Sequence, residues 1–463
     1  MRTSVGSLTA QRSRSTEKAY AKALAIYAAF AAFGFPGRLS EVLPASICTL
    51  VDYSGMFAEI GAMFFHQKGN AESAWELNVA SFKSRFFWPY MILISFFLTS
   101  AISTSYPKEE FVSCFRFAVT ALFALWMAEK YEVKEILEVL YGGQFVFILA
   151  TLAFMVLRPD LAHSYEMGGA ASLCGLFDRK NSFAAELSAG ILIQTILAKT
   201  KSTRGERFSI LFVASYVVQW FMLFACNATG ATLTCVATSA YAFLWRRNRK
   251  KLPVGPIYSS ISILFPFVAM TILPPLTPLF ELFGKDATLS GRTTTWNAIT
   301  EIMLENRTFT GFGFNMFWRD SSAMTTYHSM FMKNTWYSEM TSGAHNMTLE
   351  LWVNVGLIGV TVFYLAFAVV LSRTNRLDDD AYLFCAPITF SLLMKGLTER
   401  LITPNNYHAM LAFLCLAVAA ESKWKTRATS VVERKRKEEE RKERRRIQKE
   451  KRERSGKRRK KLV

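Results

Sequence analysis

The sequence predicts an all-α polytopic membrane protein, and three observations lead to that fold class. Of its 463 residues, 51% are hydrophobic, yet the formal net charge is +19, so apolar and basic residues must be segregated along the chain. Apolar runs recur from Ala21 to Ala420, each of about 17–25 residues and so long enough for a helix to cross a hydrocarbon core ~30 Å thick. Most of these runs are apolar all round rather than along one stripe, which excludes the amphipathic helices of a soluble core.

About twelve spans follow, near 21–37, 42–65, 87–104, 111–128, 136–157, 182–198, 208–225, 229–245, 257–276, 348–372, 381–397 and 405–420. Charge then sets their orientation, because Lys and Arg in short loops stay on the cytoplasmic side. The segments sharing the side of the N-terminus are basic. They hold Lys68, Lys83 and Arg85, then Lys199, Lys201, Arg204 and Arg207, then Arg246-Arg247-Asn248-Arg249-Lys250-Lys251, then Arg373 and Arg376. Both termini are therefore expected to be cytoplasmic in a cytoplasmic (inner) membrane, with the long segments 158–181 and 277–347 outside. A basic N-terminus (1–20) precedes the membrane domain (21–420), and its first run reads as a signal anchor rather than a removed leader. Loops as long as 277–347 tend to carry function.

The tail, residues 421–463, is nearly uninterrupted Arg, Lys and Glu and holds roughly two-thirds of the net charge. It reads as a solvated cytoplasmic arm with some contact to anionic lipids, at about 1 kcal/mol per basic residue near the surface. It lacks the interleaved aromatics that stack on nucleic acid, so no nucleic-acid partner is expected. The seven cysteines form no CxxC and mostly lie in apolar runs, where a thiol acts as a small hydrophobe. No metal, cofactor or disulfide chemistry is expected from these spacings.

Among five histidines, His345 has the most informative setting. In Gly343-Ala344-His345-Asn346 it stands at the outer mouth of a span, anchored yet open to solvent and suited to proton transfer. Alone it would read as an interfacial residue at a helix end. Outward cations change that balance. Arg179-Lys180-Asn181 closes the 158–181 loop. Gly291-Arg292 opens a short amphipathic helix (Trp296, Ile299, Ile302, Met303) expected to lie on the membrane face. Arg292 would sit at its N-terminus, where exposed N–H groups already favour anions. Basic residues on a face that the topology rule depletes need another reason to be there, and phosphate binding supplies one. Surface solvation is the plainer reading for Arg307, Arg319 and Lys333.

Other features weigh less. Gly311-Phe-Gly313-Phe reads as a turn, since no strand precedes it. Asn306-Arg-Thr308 and Asn346-Met-Thr348 are formal glycosylation acceptors of a kind common by chance. Asp52 and Glu59 share one face of an apolar run and are functional suspects by default. Arg116 is expected to snorkel outward.

Taken in order, Ser290-Gly-Arg292-Thr-Thr-Thr-Trp296, Thr310-Gly-Phe-Gly313-Phe-Asn315, Ala344-His345-Asn346-Met-Thr-Leu349-Glu350 and Gly356-Leu-Ile-Gly359 resemble the signature of the O-antigen ligase and polysaccharide polymerase family. Gly175-Leu-Phe-Asp-Arg-Lys180-Asn181 is similar to a segment of its exopolysaccharide-polymerase branch, and the resemblance covers about residues 170–400. It implies a metal-independent glycosyltransferase without cofactor, using a glycan on a polyprenyl diphosphate and an acceptor glycan, with other polysaccharide assembly proteins as further partners. By resemblance, His345 is the general base on the acceptor hydroxyl. Arg292, Arg179 and Lys180 hold the diphosphate, and Asn181, Asn346, Glu350 and Trp296 support them. One departure stands out. Where such proteins carry a Ser-Arg or Ser-Lys step at the outer start of the eighth span, this chain reads Asn227-Ala228-Thr229-Gly230, without a cation. The alternatives are a multi-span transporter or exporter, which would show internal repeats and broken midplane helices, and a scaffold recruiting partners through its tail.

Overall fold

The computed structural model describes residues 19–33, 40–67, 86–103, 105–165, 171–245, 250–276, 291–330, 343–404 and 406–422. The tail beyond residue 422, residues 277–290, Arg246–Arg249 and Lys333 lie outside the described residues, so the lipid contacts expected of the tail do too.

Within that range the chain is overwhelmingly helical. The helices are α1 (Ala19–Ala31), α2 (Ala45–Gln67), α3 (Phe87–Ser103), α4 (Pro107–Lys130), α5 (Val133–Leu157), α6 (Lys180–Thr203), α7 (Ile210–Ala225), α8 (Thr229–Leu244), α9 (Val254–Ile272), α10 (Arg292–Glu305), α11 (Ser321–Met330), α12 (Met347–Val370), α13 (Asp379–Gly396) and α14 (Tyr407–Ser422). Six of them, α2, α4, α5, α6, α9 and α12, are long and apolar enough to cross a membrane, and α1, α3, α7 and α14 are shorter apolar helices. A two-stranded antiparallel hairpin, β1 (His163–Tyr165) and β2 (Ala171–Leu173), is a small departure from the expected all-α fold. After it, Arg179 occupies the N-cap position of α6 without a side-chain cap hydrogen bond.

The centre of the bundle is α6, packed against α5, α7, α8 and α13. Its Gln194 is bonded by the neighbouring helix α7. Gln219 of α7 accepts from Gln144 of α5 at 3.0 Å and donates to Gln194 of α6 at 2.7 Å. Such interhelical bonds hold apolar helices in register where hydrophobicity alone cannot choose between lipid and protein.

Contacts between loops sort into two ends of the bundle. At one end Lys134 pairs with Glu206 (2.5 Å), Arg204 with Asp380 (3.0 Å), Lys251 with Asp379 (2.7 Å) and Ser422 with Asp378 (2.7 Å). The Lys134 ammonium holds the Glu206 carboxyl below its ordinary value. At the other end Phe314 N–H donates to Glu110 (2.8 Å), Arg307 donates to the Ser103 carbonyl, and Arg292 pairs with Glu399 (3.1 Å). Each of these contacts joins segments that the charge pattern places on the same side.

Three local expectations need correction. Arg116 does not snorkel: its guanidinium pairs with Asp52 of α2 at 2.8 Å and lies over the Tyr53 ring. A paired charge inside the bundle avoids the desolvation penalty of a lone one. Arg307 is not merely solvated, since it bonds the end of α3 and covers the Phe312 ring. The apolar face of α10 does not lie on a membrane surface. Trp296, Ile299, Ile302 and Met303 are fully buried against the protein, where α10 meets α9, α11 and α12.

The feature that fixes the segment before α11 is a break inside α12. Gly356 adopts φ 62, ψ −175 and interrupts the helical ladder. The freed groups find partners in the segment before α11. Phe312 N–H donates to the Val353 carbonyl (2.8 Å) and Gly313 N–H to the Asn354 carbonyl (3.0 Å). Leu357 and Ile358 N–H donate to the carbonyls of Thr308 (3.0 Å) and Phe309 (3.2 Å). The glycine motif at 311–313 is therefore a turn, as expected, and its task is to fill this break. A Cβ on Gly356 would stand 2.1 Å from the Phe309 carbonyl oxygen, in addition to requiring a left-handed backbone. Gly356→Ala is expected to cost at least ~1–2 kcal/mol from the backbone conformation alone, with the clash adding to it. A clearly lowered thermal unfolding midpoint of the purified protein in detergent checks this.

Candidate functional site

The site is built on the entrance to α12. Asn346 caps this helix: its side-chain oxygen accepts from Leu349 N–H at 3.1 Å, while its Nδ2 donates to the Leu397 carbonyl at 3.1 Å. The preceding residue, His345, has a positive φ of 47°. Few non-glycine residues hold that conformation, and they do so only where the surroundings over-determine it. Here they do. Ala344 N–H donates to Glu350 Oε2 at 2.8 Å, and the Ala344 carbonyl accepts from Trp296 Nε1 at 2.8 Å. Glu350 is held in turn by Trp318 Nε1 at 3.2 Å. Trp296, Asn346 and Glu350 are all buried, so these three supporting residues form a frame around the histidine rather than a contact surface for substrate.

The frame aims His345 at a residue the sequence reading did not single out. Glu399 lies in the turn after α13, where its N–H donates to the Lys395 carbonyl at 2.8 Å. Its Oε1 accepts from the Arg292 guanidinium at 3.1 Å, and its Oε2 lies 3.4 Å from His345 Nδ1. One carboxylate thus joins the first residue of α10, the mouth of α12 and the end of α13. With Nδ1–H directed at a carboxylate, Nε2 carries the lone pair and is the atom able to take a proton.

Around this point lies a polar cavity of about 390 Å³, a size in the range of small-molecule sites. His345 and Glu399 form part of its wall, with Arg400 beside them. The opposite wall comes from the start of α6, with Asp178, Arg179, Asn181 and Ser182, and the remaining wall from Thr403, Asn406, Glu186 and His408. The structure therefore brings His345, Arg179 and Asn181 to one cavity, although 163 residues of chain lie between Asn181 and His345. Arg292 reaches this place through Glu399. Lys180, the first residue of α6, is not part of the cavity wall. The Asn227–Gly230 stretch opens α8 without contributing to it.

Four functional candidates were missed: Glu399, Arg400, Glu186 and His408. Arg400 was accessible to the argument that found Arg292, because it is a cation on the face that the charge rule depletes. Glu186, inside the sixth predicted span, was accessible to the rule that intramembrane acids are suspects by default. His408, inside the twelfth predicted span, was accessible to the same rule, whereas Glu399 carries no local signal, because its significance lies in which distant residues it meets.

Chemically, the arrangement offers one proton acceptor oriented by a carboxylate, guanidinium groups at Arg292, Arg179 and Arg400, and hydroxyl and amide groups that match a hydroxylated ligand. That combination suits attack by a hydroxyl with departure of an anionic group.

Comparison with known proteins bears on the same region. Residues 214–364 match the family model described as O-antigen ligase. The chain is also 23% identical over 316 residues to the exopolysaccharide production protein ExoQ of Rhizobium meliloti (strain 1021), an alignment covering 65% of this chain and 68% of that protein. The matched stretch carries Arg292 and His345 together with the α12 break, and with the ExoQ similarity it supports the chain's place in the O-antigen ligase and polysaccharide polymerase family.

Proposed function

We propose that the protein is a glycosyltransferase of polysaccharide biosynthesis that moves a glycan from a polyprenyl diphosphate carrier to an acceptor sugar hydroxyl on the outer face of the cytoplasmic membrane. The single observation that carries this reading is Glu399 holding both His345 and Arg292 at the edge of a polar cavity. His345 Nε2 takes the proton of the acceptor hydroxyl as its oxygen attacks the anomeric carbon. The bond from that carbon to the diphosphate breaks, and the departing charge falls to guanidinium groups already in place. Arg292 and Arg179 bind the diphosphate, with Lys180 adding charge from the first turn of α6. Arg400 takes the place of the cation missing near Thr229. Cavity walls that exclude bulk water restrict hydrolysis of the donor.

Twelve crossings with both termini cytoplasmic fit this placement. Supporting them are the basic segments at one end of the bundle and the sorting of loop contacts into two ends. Polymerisation rather than ligation is favoured by the Lys180-Asn181 segment and by the similarity to a protein named for exopolysaccharide production.

In a strain lacking the gene, complementation with wild type should restore polymer. His345→Ala should lower transfer by about 10²–10⁴-fold, the usual worth of a general base, with membrane levels of the protein unchanged. Gel analysis of glycan chains beside an immunoblot reads both, and normal chain length in this variant would sink the reading. Arg292→Ala should damage polymer formation more than Arg292→Lys, since lysine keeps the charge but loses the fork of donors. The same gels should rank Glu399→Gln between wild type and Glu399→Ala. Glutamine retains an acceptor oxygen for His345 while giving up the charge that balances Arg292.

A further inference from the structure

A second constellation reaches the same cavity through two of its three residues and takes no part in the step above. Glu186 of α6, Lys395 of α13 and His408 of α14 are 5%, 4% and 3% exposed. His408 lies between the other two. Its Nδ1 is 3.2 Å from Glu186 Oε1, and its Nε2 is 3.2 Å from Lys395 Nζ, which also donates to the Ala185 carbonyl at 2.8 Å. An ammonium can only donate, so Nε2 accepts, and Nδ1–H donates to the carboxylate. The imidazole is then neutral, set between a buried cation and a buried anion. Taking such a pair out of water costs several kcal/mol per ion unless the remaining lone pairs are also satisfied. At Glu186 one is not: Oε2 is buried and has no hydrogen-bond partner among the described residues. Glu186 nevertheless lines the cavity, as does His408.

We infer that Glu186, held by His408, which is itself bonded by Lys395, is a binding residue for the acceptor glycan, its unpartnered Oε2 accepting a hydrogen bond from a hydroxyl of the terminal sugar. The inference rests on the glycosyltransferase reading and adds the position of the acceptor. An orphaned buried acceptor calls for a donor that arrives with a ligand, and a sugar hydroxyl is one. A hydrogen bond to an ionised acceptor is roughly twice as strong as a neutral one. The carboxylate also selects: a neutral, hydroxyl-rich ring is accepted here, whereas an acidic sugar would place like charges together. Ser182, Asn181 and Asn406 supply further polar groups along the same cavity. The terminal sugar would thus lie between Glu186 and His345, with the attacking hydroxyl toward His345. An ion pair that only tied α6, α13 and α14 together would change stability and leave affinity for the acceptor alone.

The test uses the full-length protein in lipid nanodiscs and, as probe, the oligosaccharide repeat released from the host's own exopolysaccharide, with binding followed by native mass spectrometry. Wild type should bind it, and Glu186→Gln at least about tenfold more weakly, because the amide keeps its oxygen on His408 and turns its NH2 to the sugar, so the hydrogen bond to a charged acceptor is lost. Should Glu186→Gln fail to accumulate, Glu186→Asp retains the charge but withdraws the oxygen, and the same weakening is expected. Equal binding by wild type and the Glu186 variant, or no binding by wild type, overturns the inference. Glu186-dependent binding together with normal polymer from His345→Ala would support the glycan subsite while removing the transferase reading, so the two can fail separately.

Discussion

Hydrocarbon offers a backbone no water, and that constraint organises this molecule at Gly356. A helix broken in the membrane domain exposes N–H and carbonyl groups that must find partners within the protein. Here the partners are the backbone of Thr308, Phe309, Phe312 and Gly313. The stretch from Thr308 to Phe314 is consequently not a free loop between helices. It is hydrogen-bonded into one of them, and Glu110 of α4 grips it again at Phe314. From that anchorage α10 presents Trp296 to the Ala344 carbonyl and Arg292 to Glu399. The position of the candidate base is thus set by a break in a helix about three turns away from it along α12.

Much of this was legible in sequence, and the illegible part has a common cause. Run length and all-round hydrophobicity reveal membrane helices because each signal is local. Basic clusters give an expected side for the same reason, since each loop is read alone. His345 and Arg292 could be found because both are chemically conspicuous where topology disfavours charge or where a helix begins. The apolar face of α10 was equally visible, but a sequence cannot say whether such a face meets lipid or protein, and Trp296 meets protein. Arg116 was misjudged for the same reason, since Asp52 lies on another helix. Glu399 has no motif at all. It matters only because α10, α12 and α13 end near one another, which is a property of the folded bundle. The resemblance named Trp296, Asn346 and Glu350 as supporting residues, and the geometry shows what each of them holds: Trp296 and Glu350 bond the carbonyl and the N–H of Ala344, and Asn346 caps the helix end.

The pairing of Arg292 with Glu399 has a consequence for how an anion would be received. A bare guanidinium attracts every anion at long range. A guanidinium already engaged by a carboxylate at 3.1 Å admits an anion only by exchange or by sharing. A singly charged visitor replaces one ion pair with an equivalent one and gains little. A more highly charged group gains the difference, and the released carboxylate keeps His345 as its remaining neighbour. On the proposed reading the site would behave as a threshold instead of a lure, an internal competitor setting how dense a negative charge must be to enter.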